Sequence, residues 1–193
     1  MENKVDYAAL AAQLAALTDG IPYEIANLSN ASALLWEHLP DINWAGFYKM
    51  VDGALVLYPF QGKPACIRIP VGRGVCGTAV AEDKTQLVYD VHQFPGHIAC
   101  SSLSQSEIVV PLFHGDEIYA VLDIDSKELS TFDKIDKEWL EKIYETEEAS
   151  DLLDTRLFEN KLTVTVELTR CTLERYVYST ECRHCNRCPD GVG

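Results

Sequence analysis

The sequence predicts an α+β fold in which a mostly antiparallel sheet packs against helices. Two pairs of apolar runs are each joined by a short turn that contains glycine, at Asp52-Gly53 and at residues 114–117, which is typical of β-hairpins. Helical periodicity appears before and after these hairpins, in residues 6–18 and again beyond residue 130. Hairpins flanked by helices favour an antiparallel sheet with the helices packed on one face.

Two helices are predicted at the start of the chain. Residues 6–18 repeat leucine at helical spacing, and Asp6 is in position to cap the helix. A second helix is predicted over residues 32–39 and ends at Pro40, which cannot continue it. Its Trp36 is interpreted as a core side chain, because a single large aromatic residue is usually packed.

The middle of the chain supplies the sheet. Residues 61–69 are predicted to be a loop or an edge strand, because Pro64 and Pro70 cannot take part in a central ladder. A short helix follows over residues 75–82, and residues 91–106 form a long loop of the kind that often carries function. The predicted strands cover residues 42–50, 54–60, 86–90, 107–113 and 118–125.

Composition limits the class of protein. The 193 residues carry a formal net charge of −14, which argues against nucleic acid and anionic membranes as partners, since both need a basic surface. The N-terminal residues do not follow the pattern of a signal peptide, and no apolar run is long enough for a membrane span. We therefore expect a cytoplasmic protein. Its seven cysteines then indicate catalytic, metal-binding or buried thiols and not a structural disulfide framework.

Residues 72–77, GRGVCG, match the G-x-G-x-x-G fingerprint of dinucleotide-binding proteins, and Asp90 follows at a suitable distance for a ribose-binding acid. The fingerprint requires a buried strand before it and βαβ units around it. Here Pro70 interrupts the preceding strand, and the flanking elements are hairpins. Turn geometry is the better interpretation of these glycines, so no dinucleotide cofactor is expected.

Three cysteines form the first group of candidate functional residues. Cys66, Cys76 and Cys100 lie in or near sequence rich in glycine and proline, where no core position is expected for two of them. One thiolate can act as a nucleophile and a second thiol can resolve the oxidised product, although free cysteines are also often buried as small apolar residues. His97 either favours the Cys100 thiolate or is a solvated loop histidine. The spacing of these residues matches no zinc pair, so no metal is expected.

Carboxylates and aromatic residues form the second group. Asp123 and Asp125 are two apart on a predicted strand, so both side chains point to the same face, as a solvated surface or as the rim of a pocket. Glu107 opens the preceding strand of the same hairpin. Trp44 and Tyr48 also share a face, either as core aromatics or as the apolar wall of a site.

Five motifs together carry a resemblance to a known family: NWAGFY, GKPACIRIPVGRGVCGTAV, DVHQFPGHIAC, SEIVVPL and VLDIDS. In this order and spacing, over roughly residues 5–145, they resemble the free methionine-(R)-sulfoxide reductases, which are single GAF-domain enzymes. The resemblance implies a GAF-like fold for residues 1–148, with a central antiparallel sheet and helices against it. It also implies that this domain carries the active site and forms a homodimer.

The resemblance implies a reaction as well. Free methionine-(R)-sulfoxide would be reduced to methionine without a cofactor, with thioredoxin as the electron donor. Cys100, in PGHIAC, would attack the sulfoxide sulfur and be left as a sulfenic acid. Cys66 would then form a disulfide with Cys100, which thioredoxin reduces. Cys76 would be the third cysteine of the family, which relays the disulfide or substitutes for one of the other two cysteines.

The same resemblance assigns the substrate site. One acid, Glu107 or Asp125, would have a raised pKa and hydrogen-bond the sulfoxide oxygen. The remaining acids, Asp123 among them, would bind the substrate ammonium. Trp44 would pack on the ε-methyl group with Tyr48 beside it. Two other functions stay open, because fold alone does not fix function: a GAF sensor that binds a small molecule without turnover, and a thiol redox switch.

Residues 149–193 are an extension without a counterpart in the family. Cys182, Cys185 and Cys188 follow a C-x2-C-x2-C spacing, which is typical of metal or cluster ligands. A fourth ligand is missing unless Cys171 or His184 serves, so a disordered tail and an auxiliary thiol role are the alternatives. The extension is therefore predicted only as a separate, unassigned segment.

Overall fold

A six-stranded antiparallel sheet in the order β3-β2-β1-β6-β5-β4 forms the frame of the protein. The structure is a computed structural model that describes residues 5–98 and 102–145. Its strands are β1 (Ile42–Val51), β2 (Ala54–Gly62), β3 (Arg68–Pro70), β4 (Gln86–Val88), β5 (Ser106–His114) and β6 (Glu117–Ser126). Its α-helices are α1 (Tyr7–Thr18), α2 (Glu24–His38), α3 (Gly74–Glu82) and α4 (Lys134–Glu145), with a 3-10 turn at Val91–Gln93.

Both predicted hairpins are confirmed. Asp52 and Gly53, between β1 and β2, have φ angles of 48° and 73°, so both adopt the left-handed conformation of a tight two-residue hairpin turn. Gly115, with a φ of 62°, does the same between β5 and β6. The two hairpins join where β1 pairs antiparallel with β6, which places these strands at the centre of the sheet. The predicted edge strand is also present, since β3 pairs only with β2.

The two faces of the sheet are covered by different elements. Alternate residues of the central strands, such as Phe47 and Leu122, pack with α1, α2 and α4 in one apolar cluster. Their neighbours on the opposite face, such as Val109 and Val121, pack with α3 in a second cluster. The prediction of helices on a single face is therefore wrong for α3, whose short apolar sequence gave no indication of the face it covers.

Two details of the first helices differ from the prediction. The second helix begins at Glu24, eight residues before the predicted start, because Leu28 and Ala31 continue the buried apolar stripe toward the N-terminus. Trp36, interpreted as a core residue, is 42% exposed, whereas Leu28, Ala31 and Leu35 form the buried stripe of the helix. Helical phase, not residue size, decides which side chain is buried here.

Within residues 5–98 and 102–145, no helix combines the length and the apolarity that a membrane span requires. The predicted extension, residues 149–193, lies outside these described ranges, together with Cys182, Cys185 and Cys188. The boundary at residue 148 and the role of the extension therefore stay predictions.

Candidate active site

A cleft opens on the face of the sheet that α3 covers, above the central strands. A second recess lies against the aromatic side of the same strands, and it shares Asp123 and Asp125 with the first. The main cleft is lined by Ile69, Arg73, Gly74, Val75, Cys76, His97, Ile98, Ser104, Glu107, Asp123 and Asp125.

Strand pairing brings the three predicted acids together. Glu107 of β5 lies directly opposite Asp125 of β6, and Asp123 follows two residues earlier on the same face. Glu107 and Asp123 are only 6% and 7% exposed. The interpretation of the two aspartates as a solvated surface pair is therefore wrong. All three acids line the cleft.

The acids are buried close to one another, and both conditions disfavour their charged forms. Burial raises the pKa of Asp123 to about 7, although contacts with the Cys76 thiol and Glu107 lower it in part. Burial, followed by repulsion from Asp123, raises the pKa of Glu107 and of Asp125 well above the usual range. Each charged carboxylate therefore disfavours ionisation of its neighbours, and the three acids titrate as one coupled group.

Cys76 lies in the first turn of α3, directly above the carboxylates. Its thiol is free and 4% exposed, and its Sγ lies within 4.8 Å of carboxylate oxygens of Glu107 and Asp123. Burial, followed by the charges of these acids, raises the pKa of the thiol well above the usual range. In the part of the chain that the structure describes, Cys76, Glu107 and Asp123 are also the residues whose donor atoms lie close enough to share a metal ion. The sequence predicts no metal here, and that stays a prediction.

The aromatic pair forms the opposite wall. Trp44 stacks on Tyr48 with ring centroids 5.8 Å apart and on Phe60 at 5.2 Å. The indole Nε1 donates to the Lys63 carbonyl at 3.1 Å, and Trp44 lies opposite Asp125 across the β1–β6 pair. The two aromatics are thus both core residues and the apolar wall of the recess. Phe60 escaped the sequence analysis, since only the pairing of β1 with β2 brings it to Trp44.

The other two predicted cysteines are placed differently. Cys66 is half-buried in the loop between β2 and β3 and is disulfide-bonded. Cys100 lies outside the described residues, so its pairing with Cys66 and its role as nucleophile stay predictions. His97 lines the cleft with its Nε2 4.0 Å from Glu107 Oε2 and a side chain 15% exposed. It is therefore not a solvated loop histidine, and burial lowers its pKa.

Two polar residues of the site were missed by the sequence analysis. Asn43 donates through Nδ2 to the Ser104 hydroxyl at 3.2 Å, and Ser104 lies beside Asp125 and lowers the pKa of that acid. The Oδ1 atoms of Asn43 and Asp123 are buried and have no hydrogen-bond partner within residues 5–98 and 102–145. Both residues line the recess beside Trp44, which leaves two free acceptors there. A polar residue ahead of the aromatic in the predicted strand was the available signal for Asn43.

Comparisons with known proteins agree with this geometry. The GAF domain family matches residues 28–146. The free methionine-R-sulfoxide reductase of Escherichia coli (strain K12) is 54% identical over 142 residues, which is 73% of this chain and 86% of the relative. The free methionine-R-sulfoxide reductase of Saccharomyces cerevisiae is 49% identical over 135 residues, which is 66% of this chain and 75% of the relative.

Solved structures give the same result. The fRMsr of Staphylococcus aureus in complex with substrate is 51% identical, with a TM-score of 0.73 over 79% of this chain and 98% of its own. The free methionine-R-sulfoxide reductase of Neisseria meningitidis in complex with its substrate is 43% identical, with a TM-score of 0.74 over 78% and 90%. Fold, sequence and the match over almost the whole length of these relatives agree, and this chain belongs to the free methionine-(R)-sulfoxide reductase family of GAF-domain proteins.

Proposed function

We propose that this protein reduces free methionine-(R)-sulfoxide to methionine by cysteine chemistry in the cleft, with thioredoxin as the reductant and no further cofactor. The observation that carries the proposal is the cluster of Glu107, Asp123 and Asp125, buried together beside an aromatic wall. Burying three acids is costly, so a binding or catalytic role is the better explanation for them. The E. coli and N. meningitidis relatives carry the corresponding enzyme name.

Asp123 is assigned to the substrate ammonium. Burial raises its pKa to about 7, and its buried Oδ1 has no hydrogen-bond partner among the described residues. An ammonium group would supply both the charge and the hydrogen bond that this oxygen lacks. Asn43 Oδ1 offers a second acceptor in the same recess. A methionine sulfoxide within a polypeptide has no free ammonium, which accounts for selectivity toward the free amino acid.

Glu107 or Asp125 is assigned as the proton donor to the sulfoxide oxygen. Both have a pKa raised well above the usual range, through burial and then through the charge of Asp123, and both influences favour the protonated form that a proton donor needs. A protonated carboxyl group within hydrogen-bond reach of the oxygen would make the sulfur more electrophilic. Trp44 and Tyr48 would hold the methyl end of the substrate against the same wall.

The redox steps are assigned to Cys100 and Cys66. The Cys100 thiolate would attack the sulfoxide sulfur, and the oxygen would leave on Cys100 as a sulfenic acid while methionine departs. The Cys66 thiol would then attack the sulfenic sulfur of Cys100 and displace its oxygen as water, which forms the Cys66–Cys100 disulfide. Cys66 lies half-buried in an irregular loop and is disulfide-bonded, which suits a residue that must be reached by a reductant.

Cys76 receives a different role from the other two cysteines. It is buried beside two acids that disfavour its thiolate, which is the form that reacts. Its contact with Asp123 holds the pKa of that acid below the value that burial alone would give. We therefore assign it as a neutral hydrogen-bond donor to Asp123, and not as a redox cysteine. The homodimer implied by the family and the cytoplasmic location expected from the sequence are part of the same proposal.

The test is release of methionine by the purified protein with dithiothreitol, when the free R and S sulfoxides are offered separately. We expect turnover of the R epimer only, no turnover in Cys100→Ser, and turnover within about tenfold of wild type in Cys76→Ser, since a hydroxyl group can replace the donor. Equal losses in both variants would contradict the separate role of Cys76. Absence of turnover with either epimer would favour the GAF sensor or the redox switch.

A further inference from the structure

The loop that carries Cys66 presents an unusual exposed surface, formed by Ile67, Arg68 and Val71 and called here the Cys66 surface. Ile67 is 76% exposed and Val71 is 40% exposed, although both are large apolar residues. The backbone is nevertheless held, because the Ile67 carbonyl accepts from Leu57 N–H at 3.0 Å and Arg68 pairs with β2. The apolar side chains are thus fixed in solvent beside the disulfide-bonded Cys66.

The same stretch differs in charge from the rest of the chain. Between Asp52 and Glu82 the sequence contains Lys63, Arg68 and Arg73 and no Asp or Glu, in a protein with 30 acidic residues. All three cations are exposed. A basic segment on an acidic protein attracts an acidic partner to one location and repels it elsewhere.

We propose that the Cys66 surface is the docking site for an acidic dithiol protein of the thioredoxin type, an inference that rests on the proposed function. A small thiol would need neither the exposed apolar pair nor the local positive charge. A protein partner gains from both, since exposed apolar residues supply the buried centre of an interface and the charges raise the rate of encounter.

The chemical step is a thiol–disulfide exchange. A thiolate of the docked partner attacks Cys66 Sγ, forms a mixed disulfide and releases the cysteine that was bonded to Cys66 as a thiolate, which takes up a proton. The second thiol of the partner then attacks its own bonded sulfur and releases Cys66. The partner leaves with one disulfide, and this protein gains two thiols, so two electrons have been transferred.

The experiment compares two pairs of neighbouring residues with the same chemistry. Ile67→Ser with Arg68→Glu changes the Cys66 surface. Lys134→Glu with Ile135→Ser makes equivalent changes at the start of α4, where both residues are exposed and the helix covers the opposite face of the sheet. For each oxidised protein, the thiols gained by that protein itself, after quenching and separation from the reductant, are followed with an acidic thioredoxin and, separately, with dithiothreitol. Methionine sulfoxide is absent from these reactions.

We expect the rate constant with thioredoxin to fall about tenfold or more in the first pair, whereas the rate with dithiothreitol is unchanged. The wild-type rate with thioredoxin should fall as salt is added, and this dependence should weaken in the variant. The second pair should behave as wild type. Ile67→Ala and Arg68→Gln, made singly, should give intermediate losses and serve if the double variant does not fold.

Three results would overturn the proposal: an unchanged thioredoxin rate in the first pair, an equal loss with both reductants, or a change in oligomeric state without a change in that rate. The last result would make the surface an interface between copies of this chain. Failure of the proposed function is distinguishable, because it would appear as exchange with thioredoxin but no release of methionine from the sulfoxide.

Discussion

At the scale of single residues, Asp123 is the position where stability and the proposed contact with the substrate oppose each other. The carboxyl group is buried, has an unpartnered oxygen, and has its pKa raised to about 7. In the unfolded chain an aspartate titrates near pH 4. The native state therefore binds this proton more tightly than the unfolded state does. The free energy of unfolding must fall as pH rises from about 4 to about 7, and it stays lower above that range.

We predict that Asp123→Asn raises stability at pH 8 by about 1–3 kcal/mol, since the amide carries no charge to be desolvated. At pH 4, where the carboxyl group is protonated, variant and wild type should unfold at similar denaturant concentrations. The KM for the free sulfoxide should rise, because the ammonium loses its charged partner. Urea unfolding at both pH values, beside steady-state kinetics, measures the two effects.

The control for this prediction is Asp116→Asn, at the exposed turn between β5 and β6. Exchanging one exposed turn residue for another should alter stability by no more than about 0.5 kcal/mol at either pH. The raised pKa would not be the cause if Asp123→Asn were only as stable as wild type at pH 8. It would also not be the cause if the variant exceeded wild type in stability by the same amount at pH 4 as at pH 8.

At the scale of elements, the pairing of β5 with β6 decides which residues form the site. A two-residue turn alone would pair residue 114 with 117 and would then place Glu107 opposite Ile124. A bulge between Leu112 and Phe113 shifts the register by one residue and places Glu107 opposite Asp125 instead. A shift of one residue exchanges the two faces of a strand, so this bulge is what gathers the acids.

This bulge also marks the limit of what could be predicted. The sequence was sufficient for the hairpins and for the shared face of Asp123 and Asp125, because turn residues and the two-residue period are local. It was insufficient for the pairing of Glu107, because EIVVPLF is apolar on both faces and offers no alternation from which register could be read. Phe60 and Ser104 were missed because each reaches the site only through contacts with residues that are distant in sequence.

An ion pair with additional hydrogen bonds links α2 to the sheet on the face opposite the cleft. Lys49 Nζ lies 2.9 Å from both carboxylate oxygens of Glu24, and Tyr119 donates a hydrogen bond to the same carboxylate. The ammonium also lies over the rings of Tyr119, at 4.3 Å, and Tyr58, at 5.2 Å. With side chains 18% and 11% exposed, the Lys49–Glu24 pair is largely shielded from water.

We predict that Lys49→Met lowers the free energy of unfolding by about 2–4 kcal/mol, because Glu24 is left shielded from water without its cation. The matched change is Lys137→Met, whose pair with Glu141 is 3.7 Å apart with side chains about 30% exposed. That change should cost no more than about 0.5 kcal/mol. Chemical denaturation measures both, and turnover by the folded protein should be unaltered. Equal effects would show that shielding does not strengthen the first pair.

At the scale of the whole molecule, the sheet has its main apolar core on one face and the candidate active site on the other. One face carries the apolar cluster that holds α1, α2 and α4, and the other carries α3, the aromatic wall and the buried acids. Costly groups such as Asp123 can persist on one face because the apolar contacts of the other stabilise the same strands. All the elements of this arrangement lie before residue 146, where the match to the GAF domain family ends.

We therefore predict that a chain ending at residue 148 keeps both its thermal unfolding temperature and the turnover of the free sulfoxide that is proposed above. The S. aureus protein supports this, because 79% of this chain is enough to cover 98% of that protein, so about a fifth of this chain has no counterpart there. The control is the full chain with Cys182, Cys185 and Cys188 changed to serine. Loss of turnover in both would assign the extension an auxiliary thiol or metal role, since only the cysteines are common to the two changes. Loss in the truncated chain alone would mean that the domain extends beyond residue 148.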